Sequence, residues 1–143
     1  MEDKERLDLF TDMTRVHTAY VEHRLLHLGL HTGQGAIISA LGDCGPSSQK
    51  RLAEYRHVSA ATISVMLRRM EKSGFITRAV SEDGKCNEIC LTPAGQEMYE
   101  ALRRDAIGEP ERVFAGLTAE ELASAEHIFQ TISRNLENMT EGK

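Results

Sequence analysis

The fold of this chain is decided by residues 47–85, which read SSQKRLAEYRHVSAATISVMLRRMEKSGFITRAVSEDGK. This basic segment is predicted to form a short helix from Ser48, a tight turn at 56–58, a second helix capped by Ser59, and a two-stranded hairpin. It holds eight Lys or Arg and four Asp or Glu, a net charge of +4 in a chain of net charge −5, so the remainder carries −9. An acidic chain that gathers its cations on one such segment is suited to contact a polyanion.

The second helix of the basic segment has one apolar face, because Ile63, Met66, Leu67 and Met70 follow the i, i+3, i+4, i+7 spacing of a buried stripe. Its opposite face has small residues near the start of the helix and cations near the end. This arrangement suits a helix that enters the major groove and contacts base edges and phosphates. The residues predicted to contact DNA on this helix are Ser59, Ala60, Ala61, Thr62, Ser64, Val65, Arg68, Arg69 and Lys72.

Further DNA contacts are predicted on either side of this helix. Ser48, Gln49 and Lys50 open the preceding helix, and backbone N–H groups at a helix N-terminus favour phosphate. Arg78, at the base of the hairpin, is predicted to meet a phosphate, and Lys85 at its tip to enter the minor groove. Alternatively, the polar residues of this helix and of the hairpin do not contact DNA and are simply exposed to solvent.

The flanking sequence is predicted to be helical. One amphipathic helix spans 7–28, a second spans 32–41, a third runs from Thr92 or Pro93 to about Ile107, and the last follows a capping box of Thr118 and Glu121. Glycines at 42 and 45 with Pro46 predict a loop, and Gly108 with Pro110 predicts a helix break. The predicted fold class is mainly α with a small antiparallel β-hairpin wing: a winged helix-turn-helix with N- and C-terminal dimerisation helices.

Apolar seams run along the first and last predicted helices. They could close a monomeric bundle, but paired terminal helices from two subunits are favoured because small DNA-binding modules gain affinity by pairing. The predicted division is an N-terminal dimerisation helix at 1–31, a winged helix-turn-helix domain at 32–92 and C-terminal dimerisation helices at 93–143. The seams consist of Leu9, Met13, Val16 and Tyr20 on the first helix and Leu122, Ala125, Phe129, Ile132, Leu136 and Met139 on the last.

Several stretches in a fixed order resemble the MarR (multiple-antibiotic-resistance regulator) family of winged-helix repressors. The resemblance implies a homodimer that binds a pseudo-palindromic operator in double-stranded DNA, with repression relieved by a small-molecule effector or an oxidative signal. Two positions depart from the family pattern: Lys85 replaces the Arg of an Asp-x-Arg wing pair, and Arg56 stands where a buried Leu is usual. The resemblance is carried by Gly33-Gln34, Ser48–Ala53, Val58–Ser64, Arg68–Ile76 with Arg78, and Leu91–Gly95.

The histidines raise a metal-responsive alternative within the same fold. His23 and His27 stand at i, i+4 on the first helix, a spacing that allows two imidazoles to share a zinc ion, although Gly29 is predicted to end the helix before His31. Alternatively, these histidines are ordinary surface residues or polar residues that line a cleft. No cofactor is expected, and the three cysteines (Cys44, Cys86 and Cys90) match no zinc framework and are predicted to be free thiols.

Other function classes have less support. No phosphate-binding glycine loop, Ser-His-Asp spacing or marked carboxylate pair indicates an enzyme. A winged-helix adaptor that docks on protein would not need the +4 charge of the basic segment. No apolar run approaches the roughly 20 residues of a membrane span, and the charged N-terminus is unlike a signal peptide, so we expect a cytoplasmic protein with no membrane partner.

Overall fold

The computed structural model describes residues 1–80, 82–84 and 87–142. The chain consists of two compact units, of which the first is Met1–Asp105 and the second begins at Ala106. Within the described residues the elements are α1 (Asp3–Leu26), α2 (Thr32–Cys44), β1 (Ser47–Ser48), α3 (Gln49–Arg56), α4 (Ala60–Lys72), β2 (Ile76–Val80), β3 (Asn87–Leu91), α5 (Pro93–Asp105), α6 (Glu109–Val113) and α7 (Ala119–Glu141).

The predicted winged helix-turn-helix is confirmed, with α3 and α4 followed by the antiparallel strands β2 and β3. The structure adds a strand that the sequence did not predict. Ser47 and Ser48 form β1, which pairs antiparallel with Ile89 and Glu88, so that the sheet order is β1-β3-β2. Two residues are too few to show the alternation of a strand, so only the tertiary pairing reveals it.

The core of the first unit is built around α4. Ile63, Leu67 and Met70 are fully buried as predicted, whereas Met66 is only partly buried and packs against the core from its edge. The predicted inward positions Ile37, Ile38 and Leu41 of α2 and Leu52 and Ala53 of α3 are also buried, together with Ile76 and Ile89 of the sheet. The helices and the wing therefore share one apolar centre.

The predicted helix starts are confirmed by their hydrogen bonds. The backbone N–H of Arg51 donates to Ser48 Oγ at 3.1 Å, and that of Thr62 donates to Ser59 Oγ at 3.1 Å. Thr118 and Glu121 form the reciprocal capping box that opens α7, with the Thr118 N–H donating to Glu121 Oε2 at 2.8 Å. Each cap satisfies N–H groups that lack an acceptor inside the helix.

Some predicted helix boundaries are wrong. Helix α1 begins at Asp3 rather than at residue 7, because a capping box between Glu2 and Glu5 opens it earlier, and it ends at Leu26. The helix predicted from Thr92 or Pro93 to about Ile107 is α5, which does end before Gly108 and Pro110, at Asp105. Pro110 then lies in the first turn of a separate short helix, α6. Proline is well tolerated there because the first helical N–H groups have no acceptor in any case.

The prediction that Gly42 belongs to a loop is also wrong, because α2 continues through it to Cys44. The helix keeps a glycine there because the ring of Tyr99 from α5 lies directly against it. The Tyr99 hydroxyl donates to Asp43 Oδ1 at 2.5 Å, and this hydrogen bond, with burial, raises the pKa of the phenol. The contact fixes α5 to α2 by both packing and a polar bond.

The predicted seam residues of α1 and most of those of α7 are exposed, whereas Leu25, near the end of α1, is buried in the core of the first unit. On α1, Leu9 and Val16 are 59 % and 67 % exposed, and on α7, Phe129 and Met139 are 45 % and 68 % exposed. No helix in the described part of the chain is long and apolar enough to cross a membrane.

We predict that Gly42→Ala destabilises the protein. The added Cβ would lie 2.1 Å from the Tyr99 ring, and overpacking of this kind costs about 1–3 kcal/mol. Urea denaturation followed by circular dichroism measures the change. Gly142→Ala is the control, because its Cβ would meet only Asn138 O, at 3.2 Å. Equal stabilities for Gly42→Ala and the unmodified protein would contradict the proposed packing.

Candidate nucleic-acid interface

The turn between α3 and α4 holds the two helices of the motif in place. His57 adopts a left-handed conformation with φ of 51°, and it is the one non-glycine residue with positive φ among the described residues. The next N–H, that of Val58, donates back to Ala53 O at 3.1 Å. This closure of α3 directs the chain into Ser59, which caps α4.

The face of α4 opposite its buried stripe is exposed, as predicted. Its first turns present small side chains, and Val65 is 40 % exposed. Its last turns present three cations. Small residues allow a helix to approach a groove floor closely, and cations further along the helix can reach the phosphates. The exposed residues of this face are Ala60, Ala61, Thr62, Val65, Arg68, Arg69 and Lys72, with Ser64 partly exposed.

Ser59 and Thr62 form a small polar unit at the start of this face. Ser59 Oγ accepts from the Thr62 N–H and donates to Thr62 Oγ1 at 3.0 Å. Because Thr62 Oγ1 already accepts one hydrogen bond, its own O–H is left to donate outward. The cap therefore serves both the helix and the orientation of a predicted contact residue.

The start of α3 adjoins the wing. Ser48 is engaged as the cap of α3, Lys50 is exposed, and Gln49 Oε1 accepts a 3.0 Å hydrogen bond from Arg78 on β2. The same guanidinium has its Nε 3.7 Å from Glu71 Oε2, on the last turn of α4. Sequence reasoning missed Glu71, because only the folded hairpin brings residues 71 and 78 together.

Of the two departures from the family pattern, only Arg56 lies among the described residues. Lys85, the predicted wing-tip cation, and Cys86 lie outside the described residues. Arg56 is partly buried, and within the described part of the chain its Nε is buried without a hydrogen-bond partner. The half-buried guanidinium near Gly33 is consistent with a stem that covers apolar surface.

The histidines do not form a closed metal site in the described residues. The Nε2 atoms of the exposed His23 and His27 lie 3.4 Å apart, so the i, i+4 pair does converge. His31 instead occupies the N-cap of α2, where its N–H donates to Gln34 Oε1 at 3.0 Å. No group of three or more His, Cys, Asp or Glu residues suited to a metal occurs among the described residues. The metal-responsive alternative stays a prediction.

Comparisons with known proteins agree with this geometry. A family model described as the MarR family matches residues 30–86. The HTH-type transcriptional regulator YwoH of Bacillus subtilis is 26 % identical over 102 residues, which cover 71 % of this chain and 74 % of YwoH. The HTH-type transcriptional repressor IacR of Pseudomonas putida is 24 % identical over 131 residues, which cover 89 % of this chain and 78 % of IacR.

The fold is shared with solved structures of transcriptional regulators. The S. aureus MepR–DNA complex superposes with a TM-score of 0.79 at 20 % identity, covering 90 % of this chain and 94 % of MepR. Because the sequence identity is low, this likeness concerns the fold alone.

We predict that His57→Gly stabilises the protein by about 0.5–1 kcal/mol, because glycine adopts the left-handed conformation without the strain of a Cβ. The midpoint of urea unfolding measures the effect. His57→Ala is the matched control, since it removes the imidazole but keeps the Cβ. If His57→Ala stabilised the protein as much as His57→Gly, the strain would not be the cause.

Proposed function

We propose that this chain is a homodimeric repressor of the MarR family of transcriptional regulators, whose family model matches residues 30–86. In this proposal the dimer binds a pseudo-palindromic operator in double-stranded DNA and is released by a small-molecule effector. The match to the family model, the similarity to HTH-type transcriptional regulators and the winged helix-turn-helix fold support a transcriptional regulator and not an enzyme. Operator binding, pairing of subunits and release by an effector are the parts that we propose.

The exposed face of α4 is the single observation that carries the proposal of DNA binding. An α-helix fits the major groove when its outer face is narrow and polar, and α4 has small residues and hydroxyls in its first two turns. Arg68 lies nearer these residues and is proposed to contact a base or a phosphate. Arg69 and Lys72, further along the helix, are proposed to contact phosphates.

The remaining contacts are proposed on the elements around α4. Lys50 at the exposed start of α3 is proposed to bind a phosphate, with the helix N-terminus contributing N–H groups. The predicted minor-groove contact of Lys85 depends on electrostatic attraction, because Lys lacks the planar, bidentate geometry of Arg. Sequence selection is therefore proposed to depend more on α4 than on the wing. MepR, which shares this fold, has been solved as a DNA complex, which supports a DNA-facing role for the fold.

Pairing of two subunits is proposed through the terminal helices. The apolar seams of α1 and α7 are each exposed on their own helix, and Tyr20 and Leu136 remain 38 % and 46 % exposed. Apolar surface of this extent and regular spacing is typical of a protein–protein interface. A two-fold dimer would present two copies of α4 to successive turns of the major groove. Release by a small-molecule effector is proposed from the family resemblance.

We predict that Arg68→Ala weakens operator binding and relaxes sequence selectivity. A base contact from Arg contributes about 1–3 kcal/mol of discrimination, which corresponds to roughly 5- to 150-fold in affinity. Fluorescence anisotropy with a DNA fragment from the protein's own upstream region, and with a scrambled fragment, measures both quantities. Arg134→Ala, on the exposed surface of α7 away from its seam, is the charge-matched control.

The base-contact assignment would be contradicted if Arg68→Ala bound every fragment with the affinity of the unmodified protein. A uniform loss on both fragments would instead make Arg68 a phosphate contact. Absence of binding by the unmodified protein to any upstream or random duplex would contradict the proposed function as a whole.

We predict that Phe129→Glu converts the dimer into a monomer, because the unpaired carboxylate would be buried in an apolar seam. Sedimentation velocity at micromolar concentration measures the oligomeric state. Ser124→Glu adds the same charge at an exposed position of α7 outside the seam and is expected to remain dimeric. A monomeric unmodified protein at this concentration would contradict the model of paired helices.

A further inference from the structure

Arg78 lies on the inner face of the wing sheet. It stands opposite Ile89 in the β2–β3 pair, and Ile89 in turn stands opposite Ser47 in the β1–β3 pair. Residues directly opposite each other in antiparallel strands project to the same face. Ile89 is 0 % exposed and Ser47 is 6 % exposed, so this row projects toward the helices. The side chain of Arg78 therefore leaves the backbone on the face of the sheet that packs against the helices.

The guanidinium of Arg78 joins three elements. One terminal nitrogen donates to Gln49 Oε1 at 3.0 Å on the first residue of α3, and Nε lies 3.7 Å from Glu71 Oε2 on the last turn of α4. The Arg78 side chain is 32 % exposed, and that of Glu71 is 42 % exposed. A planar group with several fixed donors can hold both partners at once, whereas an ammonium group offers a single nitrogen.

These contacts fix the direction of the Gln49 carboxamide. Its oxygen is turned toward Arg78, so its NH₂ group remains available as a donor at the start of α3. Gln49 is one of the residues proposed to contact phosphate there. At the same time, the Glu71 carboxylate offsets the charge of Arg78, which reduces the attraction between this cation and the DNA backbone.

We propose that Arg78 is a positioning residue that orients Gln49 for a phosphate and sets the wing against α3 and α4, and is not itself a phosphate contact. This inference rests on the proposed DNA-binding function. It assigns to Arg78 a role that differs from the phosphate contact predicted from the sequence. It also gives Glu71 a role in DNA binding, as the counter-charge that keeps Arg78 in place.

Salt dependence of DNA binding distinguishes the two roles. Each phosphate neutralised by a protein cation contributes about 0.9 to the slope of log affinity against log salt concentration. We expect Arg78→Ala to weaken binding on the order of tenfold, because a charge-assisted hydrogen bond is lost, while the slope stays that of the unmodified protein. Arg69→Ala is the reference variant, since loss of a direct phosphate contact from α4 is expected to reduce the slope by about 1.

Two further variants test how Arg78 acts. Arg78→Lys keeps the charge but not the fork of donors, so we expect its binding to be as weak as that of Arg78→Ala. Gln49→Ala should lose about as much affinity as Arg78→Ala, and the double variant should lose no more than either single variant. Circular dichroism checks that each variant is folded, and if Arg78→Ala is not, Arg78→Lys and Gln49→Ala carry the same comparison.

The inference is overturned if Arg78→Ala reduces the salt slope by about 1, if Arg78→Lys restores binding, or if the Arg78 and Gln49 losses add. Unchanged affinity in Arg78→Ala would also overturn it. Failure of the proposed function gives a different result, since the unmodified protein would then bind no duplex at any salt concentration.

Discussion

Burial of one face of α4 is the constraint on which the rest of the structure depends. Ile63, Leu67 and Met70 are fully buried, and removing one such side chain from water contributes about 1.5–3 kcal/mol. An exposed ion pair contributes about 0–1 kcal/mol, so the apolar stripe and not the cations sets the rotation of the helix. Once the stripe is packed, the helical period leaves the face with Thr62 and Arg68 exposed. The proposed DNA-reading surface thus follows from the core.

Much of this fold could be predicted because its signals are local. The caps at Ser48 and Ser59 and the spacing of the α4 stripe are properties of a few neighbouring residues, and all are found in the structure. Features that depend on distant partners could not be predicted. Glycine usually favours a loop, but Gly42 lies within α2. A glycine is needed there because the Tyr99 ring from α5 packs directly against it. The two-residue strand β1 exists only through its pairing with β3.

The same distinction applies to the candidate site. Subtracting the buried stripe from α4 was enough to predict the exposed face of the helix, except that Ser64 is only partly exposed and Met66 of the stripe only partly buried. The contacts of Arg78 were not predictable, because Gln49 precedes it by 29 residues and only the folded sheet brings the two together. The number of cations in the basic segment is therefore an upper limit on the number that can contact DNA phosphates. Glu71, within that segment, already pairs with one of its cations.

Footprinting of the unmodified protein on DNA from its own upstream region is the decisive test of whether a dimer presents two copies of α4 to DNA. We expect a protected site with two-fold symmetry, in which the centres of two half-sites lie one helical turn, about 10–10.5 base pairs, or a multiple of it apart. This pattern would place two copies of α4 in successive major grooves. A single protected half-site without a symmetric partner, or no protection on any duplex to which the protein is added, would contradict DNA binding by a two-fold dimer.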